Sequence, residues 1–150
     1  MAVEVGFYHC TRDPAPVVAV RLAAKVHASG QRLLLVADGE RLVAIDQHLW
    51  TFDDASFLPH GVAGSGHDDE QPVLLAPSVP DHAANGARLL MLVETGLPAG
   101  FEGYDRLLNL FGDGTPAHQR ARADWKAIGG RDGVERVYWQ QTERGAWERA

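Results

Sequence analysis

The alternation of apolar and polar positions divides the chain into short elements. VEVGFYH (3–9) is rich in β-branched and aromatic residues and predicts a strand. Asp13-Pro14 follows as an N-cap and first helical position, and Val17, Val20, Leu22, Ala24 and Val26 carry a helix that stops at Gly30. RLLLVA (32–37) is a short, continuously apolar run, the pattern of a strand covered on both faces. Asp38 can cap the next helix, RLVAIDQHLW, in which Leu42, Ile45 and Leu49 share a face. Strand, helix, strand, helix within fifty residues predicts an α/β fold with a mostly parallel central sheet and helices on both faces.

The middle of the chain reads differently. Residues 57–72, FLPHGVAGSGHDDEQP, combine glycines, prolines and three successive acids, which predicts a long surface loop. PVLLAPS and the stretch around Leu89 to Val93 give two more strands. LPAGFEGYD returns to loop, and RLLNLF (106–111) reads as a short helical piece ended by Gly112 to Pro116. Pro116 then opens a last helix, and RVYWQQ (136–141) forms a closing strand. There is no internal repeat, and 150 residues suit one domain, 1–150.

Composition narrows the class. Apolar and charged fractions of 45% and 23% are those of a globular protein, and no apolar run nears the roughly 20 residues that span a bilayer. A single cysteine cannot make an internal disulfide, and the N-terminus has Glu4 where a secretory signal carries cations, so the cytoplasm is the expected location. The formal charge of −6 is unevenly spread. Residues 1–114 hold 7 Lys/Arg against 15 Asp/Glu, whereas residues 115–150 hold 7 against 5. A negative body with one positive region suits a small anionic partner better than duplex nucleic acid, whose binders carry an excess of cations.

Nucleotide motifs are missing where this fold class would place them. HCTRDPAP follows the first strand with no glycine to let backbone approach a phosphate. No cofactor is therefore expected. His60, His67, Asp68, Asp69 and Glu70 could ligate a metal, or form a solvated charge run, the commoner fate of such a loop. Cys10, at the end of the first strand, could serve as a nucleophile or as a small buried hydrophobe. A small α/β enzyme using Cys10 or the His/Asp loop is thus the alternative to a binding protein. Trp50, Phe52, Phe57 and Pro59 read equally as core or as the aromatic anchors of a protein contact. In HQRARADWKAIGG, His118, Arg122 and Lys126 are four apart and Trp125 lies seven after His118, which puts all four on one side of a helix. The plainer reading is an amphipathic surface helix with Ala117, Ala121 and Ile128 against the sheet.

One long stretch, residues 29–66, carries a more specific pattern. Ser29-Gly30 precedes a basic residue and a strand, a helix ends in Asp46 to Leu49-Trp50, Ser56-Phe57 leads to Pro59-His60, and Ala63-Gly64-Ser65-Gly66 begins an acidic loop. With Phe7-Tyr8 early and RADWKAIG late, this resembles the chi subunit of the bacterial DNA polymerase III holoenzyme over most of the chain. The resemblance implies a nucleotide-binding-like fold without a nucleotide site, and a non-catalytic accessory subunit of the clamp-loader complex in DNA replication. It implies two partners. The acidic C-terminal tail of single-stranded-DNA-binding protein, ending in Ile-Pro-Phe, would be held by His118, Arg122, Trp125 and Lys126. The psi subunit, which links chi to the clamp loader, would meet Trp50, Phe57 and Pro59. Nucleic acid would be engaged only indirectly. The chain departs from the family pattern with Trp125 where a tyrosine is common, with fewer lysines, and with Asp124 beside the tail site.

Overall fold

The computed structural model describes residues 2–51 and 58–150. Its strands are β1 (Val3–Cys10), β2 (Leu33–Val36), β3 (His60–Val62), β4 (Val73–Ala76), β5 (Leu89–Val93), β6 (Arg106–Gly112), β7 (Val134–Gln141) and β8 (Trp147–Arg149). Its helices are α1 (Ala15–Ala28), α2 (Gly39–Thr51) and α3 (Pro116–Ile128). Among the described residues, all eight strands form one sheet in the order β3-β4-β2-β5-β6-β1-β7-β8. Every pairing is parallel except β7 with β8. The expected α/β fold with a mostly parallel sheet is therefore present.

Parallel strands covered on both sides need apolar residues at every position, not every second one. β2 is Leu33-Leu34-Leu35-Val36, all buried, with Leu33 and Leu35 on one face and Leu34 and Val36 on the other. α1 and α2 cover the first face through Val18, Leu22, Leu42 and Ile45. α3 and the loops after β4 and β5 cover the second, with Ala117, Ala121, Ile128, Leu97 and Phe101. The alanines let α3 approach closely, while its opposite side faces solvent. Helices thus lie on both faces of the sheet.

The structure corrects the sequence reading at several points. RLLNLF is no helix: it is β6, a central strand between β5 and β1 with Leu107 to Phe111 buried. A six-residue, mostly apolar piece fits a buried strand or a buried helical turn equally, and only its neighbours decide. The loop 57–72 contains the edge strand β3, paired with Val73 to Leu75, and a single 3₁₀ turn at Asp68–Glu70. The chain also adds β8, which extends the sheet beyond the expected closing strand. Asp13 does not cap α1, whose N-cap position is Pro14. The Asp13 carboxylate instead accepts from Arg21 at 2.7 Å and from the Gln141 amide at 2.9 Å.

The chain order of the sheet fixes where residues can meet. β1 and β6 are neighbours, yet β1 continues into α1 on one face and β6 into α3 on the other. Such a reversal opens a crevice at the carboxyl ends of the two strands. Here His9, at the end of β1, and Asp113, just after β6, stand at that edge.

Candidate functional site

α3 begins cleanly because Thr115 accepts the His118 amide at 3.2 Å and Pro116 supplies a preset first turn. Its exposed side then presents Arg122 and Lys126, with Trp125 half-buried between helix and sheet. These three, together with Tyr138 of β7 and Ala150, line a hollow of about 400 Å³. A larger depression lies beside Thr11, Arg12 and Glu143, but its rim mixes both signs of charge and holds no aromatic ring.

The indole is held on several sides. Phe7 meets it edge-on at 5.2 Å between ring centres and Tyr138 at 5.7 Å. The guanidinium of Arg136 lies 3.9 Å over its ring, and Arg136 also donates to the Trp125 carbonyl. Among the described residues neither Arg122 nor Lys126 has a carboxylate within ion-pair distance. Asp124 does not oppose them, because its carboxylate accepts the Leu97 amide at 3.1 Å and faces Arg120 at 3.6 Å. The hollow thus pairs an apolar wall with two available cations, which suits an anionic chain end carrying a large apolar side chain. The sequence reading did not include Tyr138 or Arg136. Their alternation along RVYWQQ, two residues apart on one face of β7, was the signal that could have found them.

His118 is not part of this hollow. It is only 8% exposed and turns toward His9, 4.3 Å away between ring centres. Its Nδ1 accepts the Gly114 amide at 3.0 Å. Burial, then His9 and Arg122, hold its pKa below the usual histidine value, against a weaker pull from Asp113. His9 in turn bonds Asp113 through Nε2 at 2.8 Å and Tyr138 through Nδ1 at 3.0 Å. His9, Asp113 and His118 are the donor side chains that converge closely enough to hold a metal among the described residues.

The His/Asp loop does not converge. His60 is buried beside Asp46, with 3.1 Å between its Nε2 and the carboxylate. His67 instead faces Glu70 at 3.6 Å, and Asp68 accepts the Gly64 amide. Cys10 is 3% exposed, and burial with the nearby Glu94 carboxylate pushes its thiol up to about 12. A protonated, buried thiol is a poor nucleophile. On the other face of the sheet, Trp50 ends α2 with 58% of its surface exposed and its ring 4.6 Å from that of His60. Pro59 is half-buried nearby, and Phe57 and Phe52 lie outside the described residues.

Fold and site together define an α/β protein of nucleotide-binding-like topology whose notable surface feature is a cation-flanked aromatic hollow. The sequence profile of the DNA polymerase III chi subunit, HolC, matches residues 2–134, and the chain belongs to that family. It is 30% identical over 77 residues to the DNA polymerase III subunit chi of Haemophilus influenzae. That match covers 49% of this chain and 54% of the relative, so the aligned stretch spans about half of each. No helix among the described residues is long and apolar enough to cross a membrane.

Proposed function

We propose that this protein is a non-catalytic accessory subunit of a replicative DNA polymerase, and that the hollow on α3 docks the acidic C-terminal tail of single-stranded-DNA-binding protein. The supporting observation is the pairing of Arg122 and Lys126 with the Trp125–Tyr138 wall around about 400 Å³. A terminal carboxylate and adjacent aspartates would meet the cations, arginine holding the carboxylate through two N–H groups. The terminal phenylalanine would stack against the indole and phenol rings. His118 lies behind this surface and would support α3 rather than touch the tail.

Steering at long range is weak, since the Debye length is about 8 Å at physiological salt and the whole chain carries −6. The expected affinity is therefore micromolar in class and falls with salt. Calorimetric titration of a tail peptide tests the reading against Arg122→Ala, Lys126→Ala and a peptide amidated at its C-terminus. Each change should weaken binding about tenfold, and unchanged binding in all three would remove the idea. Bare single-stranded DNA should bind poorly, and DNA coated with the tail-bearing protein should bind well.

The second contact, with psi and through it the clamp loader, would use Trp50, Pro59 and Phe57. Trp50 ends α2, and α2 lies on the sheet face opposite α3. Two partners could then be held at once without competing for surface, as an adaptor requires.

A further inference from the structure

We propose that His9, Asp113 and His118 form a binding site for one divalent transition-metal ion of the zinc class, with Tyr138 positioning the first ligand. The three residues come from the end of β1, the turn after β6 and the first turns of α3, and they meet at the crevice between β1 and β6. One donor atom from each lies within 4.8 Å of the others. His9 Nε2 is 2.8 Å from Asp113 Oδ1, and His118 Nδ1 is 3.8 Å from the same oxygen. Ligands about 2.0–2.2 Å from a tetrahedral zinc are separated by roughly 3.3–3.5 Å. These two spacings bracket that value, so a carboxylate shift of about half an ångström would even them out, while the two histidine nitrogens lie within 4.8 Å of each other.

The chemistry of the donors suits a borderline cation. Two imidazoles and one carboxylate form a common set for zinc, nickel or copper, and a poor one for magnesium or calcium. His9 is oriented from behind, since Tyr138 Oη lies 3.0 Å from its Nδ1, the arrangement by which an outer partner fixes the tautomer of a ligating histidine. Asp113 is mostly exposed, which leaves a way in and an open coordination position for water or an incoming ligand.

Binding has a defined proton and hydrogen-bond balance. With Nε2 on the metal, His9 carries its proton on Nδ1 and donates it to the Tyr138 oxygen. Any proton held on Nε2 is released to solvent. His118 exchanges its bond with the Gly114 amide for the metal, and Gly114 is exposed, so that amide can turn to water. Arg122 lies near enough to His118 to disfavour added positive charge there, and it opposes the ion, which holds the affinity to a modest range.

The test is a zinc titration of the whole protein by calorimetry in a buffer that does not bind zinc. One site is expected, with Asp113→Asn and His118→Gln each weakening it at least tenfold and Tyr138→Phe weakening it about tenfold. His67→Asn, which alters the exposed His67–Glu70 pair, should leave it unchanged. Asp113 is exposed, so its variant keeps the fold, and a melting curve in the presence of a chelator checks this for all four. Absence of saturable binding, equal binding by the Asp113 and His118 variants, or loss of binding in His67→Asn alone would each overturn the proposal.

Discussion

The hydroxyl of Tyr138 and Nδ1 of His9 stand 3.0 Å apart across the β1–β7 pair, so one phenol both lines the outer hollow and touches the inner His9–Asp113–His118 cluster. The ring forms a wall and the hydroxyl forms a link. Tyr138→Phe separates the two roles. The variant should melt lower by an amount corresponding to about 1 kcal/mol, the worth of one part-buried hydrogen bond. It should bind the tail peptide within about twofold of the parent. A tenfold loss of peptide binding would show that the hydroxyl itself meets the tail.

Acid should destabilise the fold through His118. Its charged form is disfavoured in the native state by burial, by His9 and by Arg122, with Asp113 opposing. The unfolded chain takes up the proton near pH 6.5, whereas the folded chain does so only at lower pH. Below about pH 7 the unfolded state thus binds more protons, and stability falls as pH falls. Melting curves from pH 7.5 to 5.5, with a chelator present, should drop more steeply for the parent than for His118→Gln. Parallel slopes would place the proton elsewhere.

Cys10 should resist alkylation. Its thiol is buried and pushed up to about 12, so at pH 8 it is almost wholly protonated and shielded. Native protein treated with iodoacetamide should stay unmodified by mass spectrometry over hours. Protein in denaturant should react within minutes. Rapid native labelling would mean that the end of β1 opens far more readily than its pairing with β6 and β7 implies.

Arg136 should set the posture of Trp125. Its guanidinium covers the indole and also lies against Gly129, where an added Cβ would come within 2.9 Å of it. Gly129→Ala is tolerated by the backbone, with φ −63°, but pushes the guanidinium aside. Both Gly129→Ala and Arg136→Ala should weaken tail-peptide binding several-fold, with a modest stability loss of about 1 kcal/mol from the lost cation–π contact. Calorimetry on the two variants checks this; a change in one alone would separate the indole's posture from the charge of Arg136.

Much of the fold was legible because its parallel strands need apolar residues throughout. LLLV in β2 and LLMLV in β5 leave little choice. β6 escaped because Asn109 interrupts its apolar run and the piece is too short to display a period, although its burial between β5 and β1 leaves only a strand possible. β3 escaped because three residues, one of them glycine, carry no pattern at all. At the site, Arg122, Trp125 and Lys126 were visible from helical spacing. His118 shares that spacing but sits nearer the helix start, where the same side of α3 runs over the sheet edge and meets His9. Spacing gives an angle around a helix; it does not tell what stands opposite each turn. Arg136 and Tyr138 belong to another element, and only the register of β7 with β1 brings them to the indole.

The first strand is flanked by two of the later ones, β6 and β7, and this has a consequence for a chain emerging from a ribosome. Phe7 and His9 are made well before the walls they support, which depend on residues more than a hundred positions later. A nascent chain lacking the seventh strand has neither the phenol nor the covering guanidinium, whatever helix it has already formed. On the proposed reading, docking at the hollow therefore waits for the seventh strand, and a fragment that stops short of it offers the tail no wall to meet.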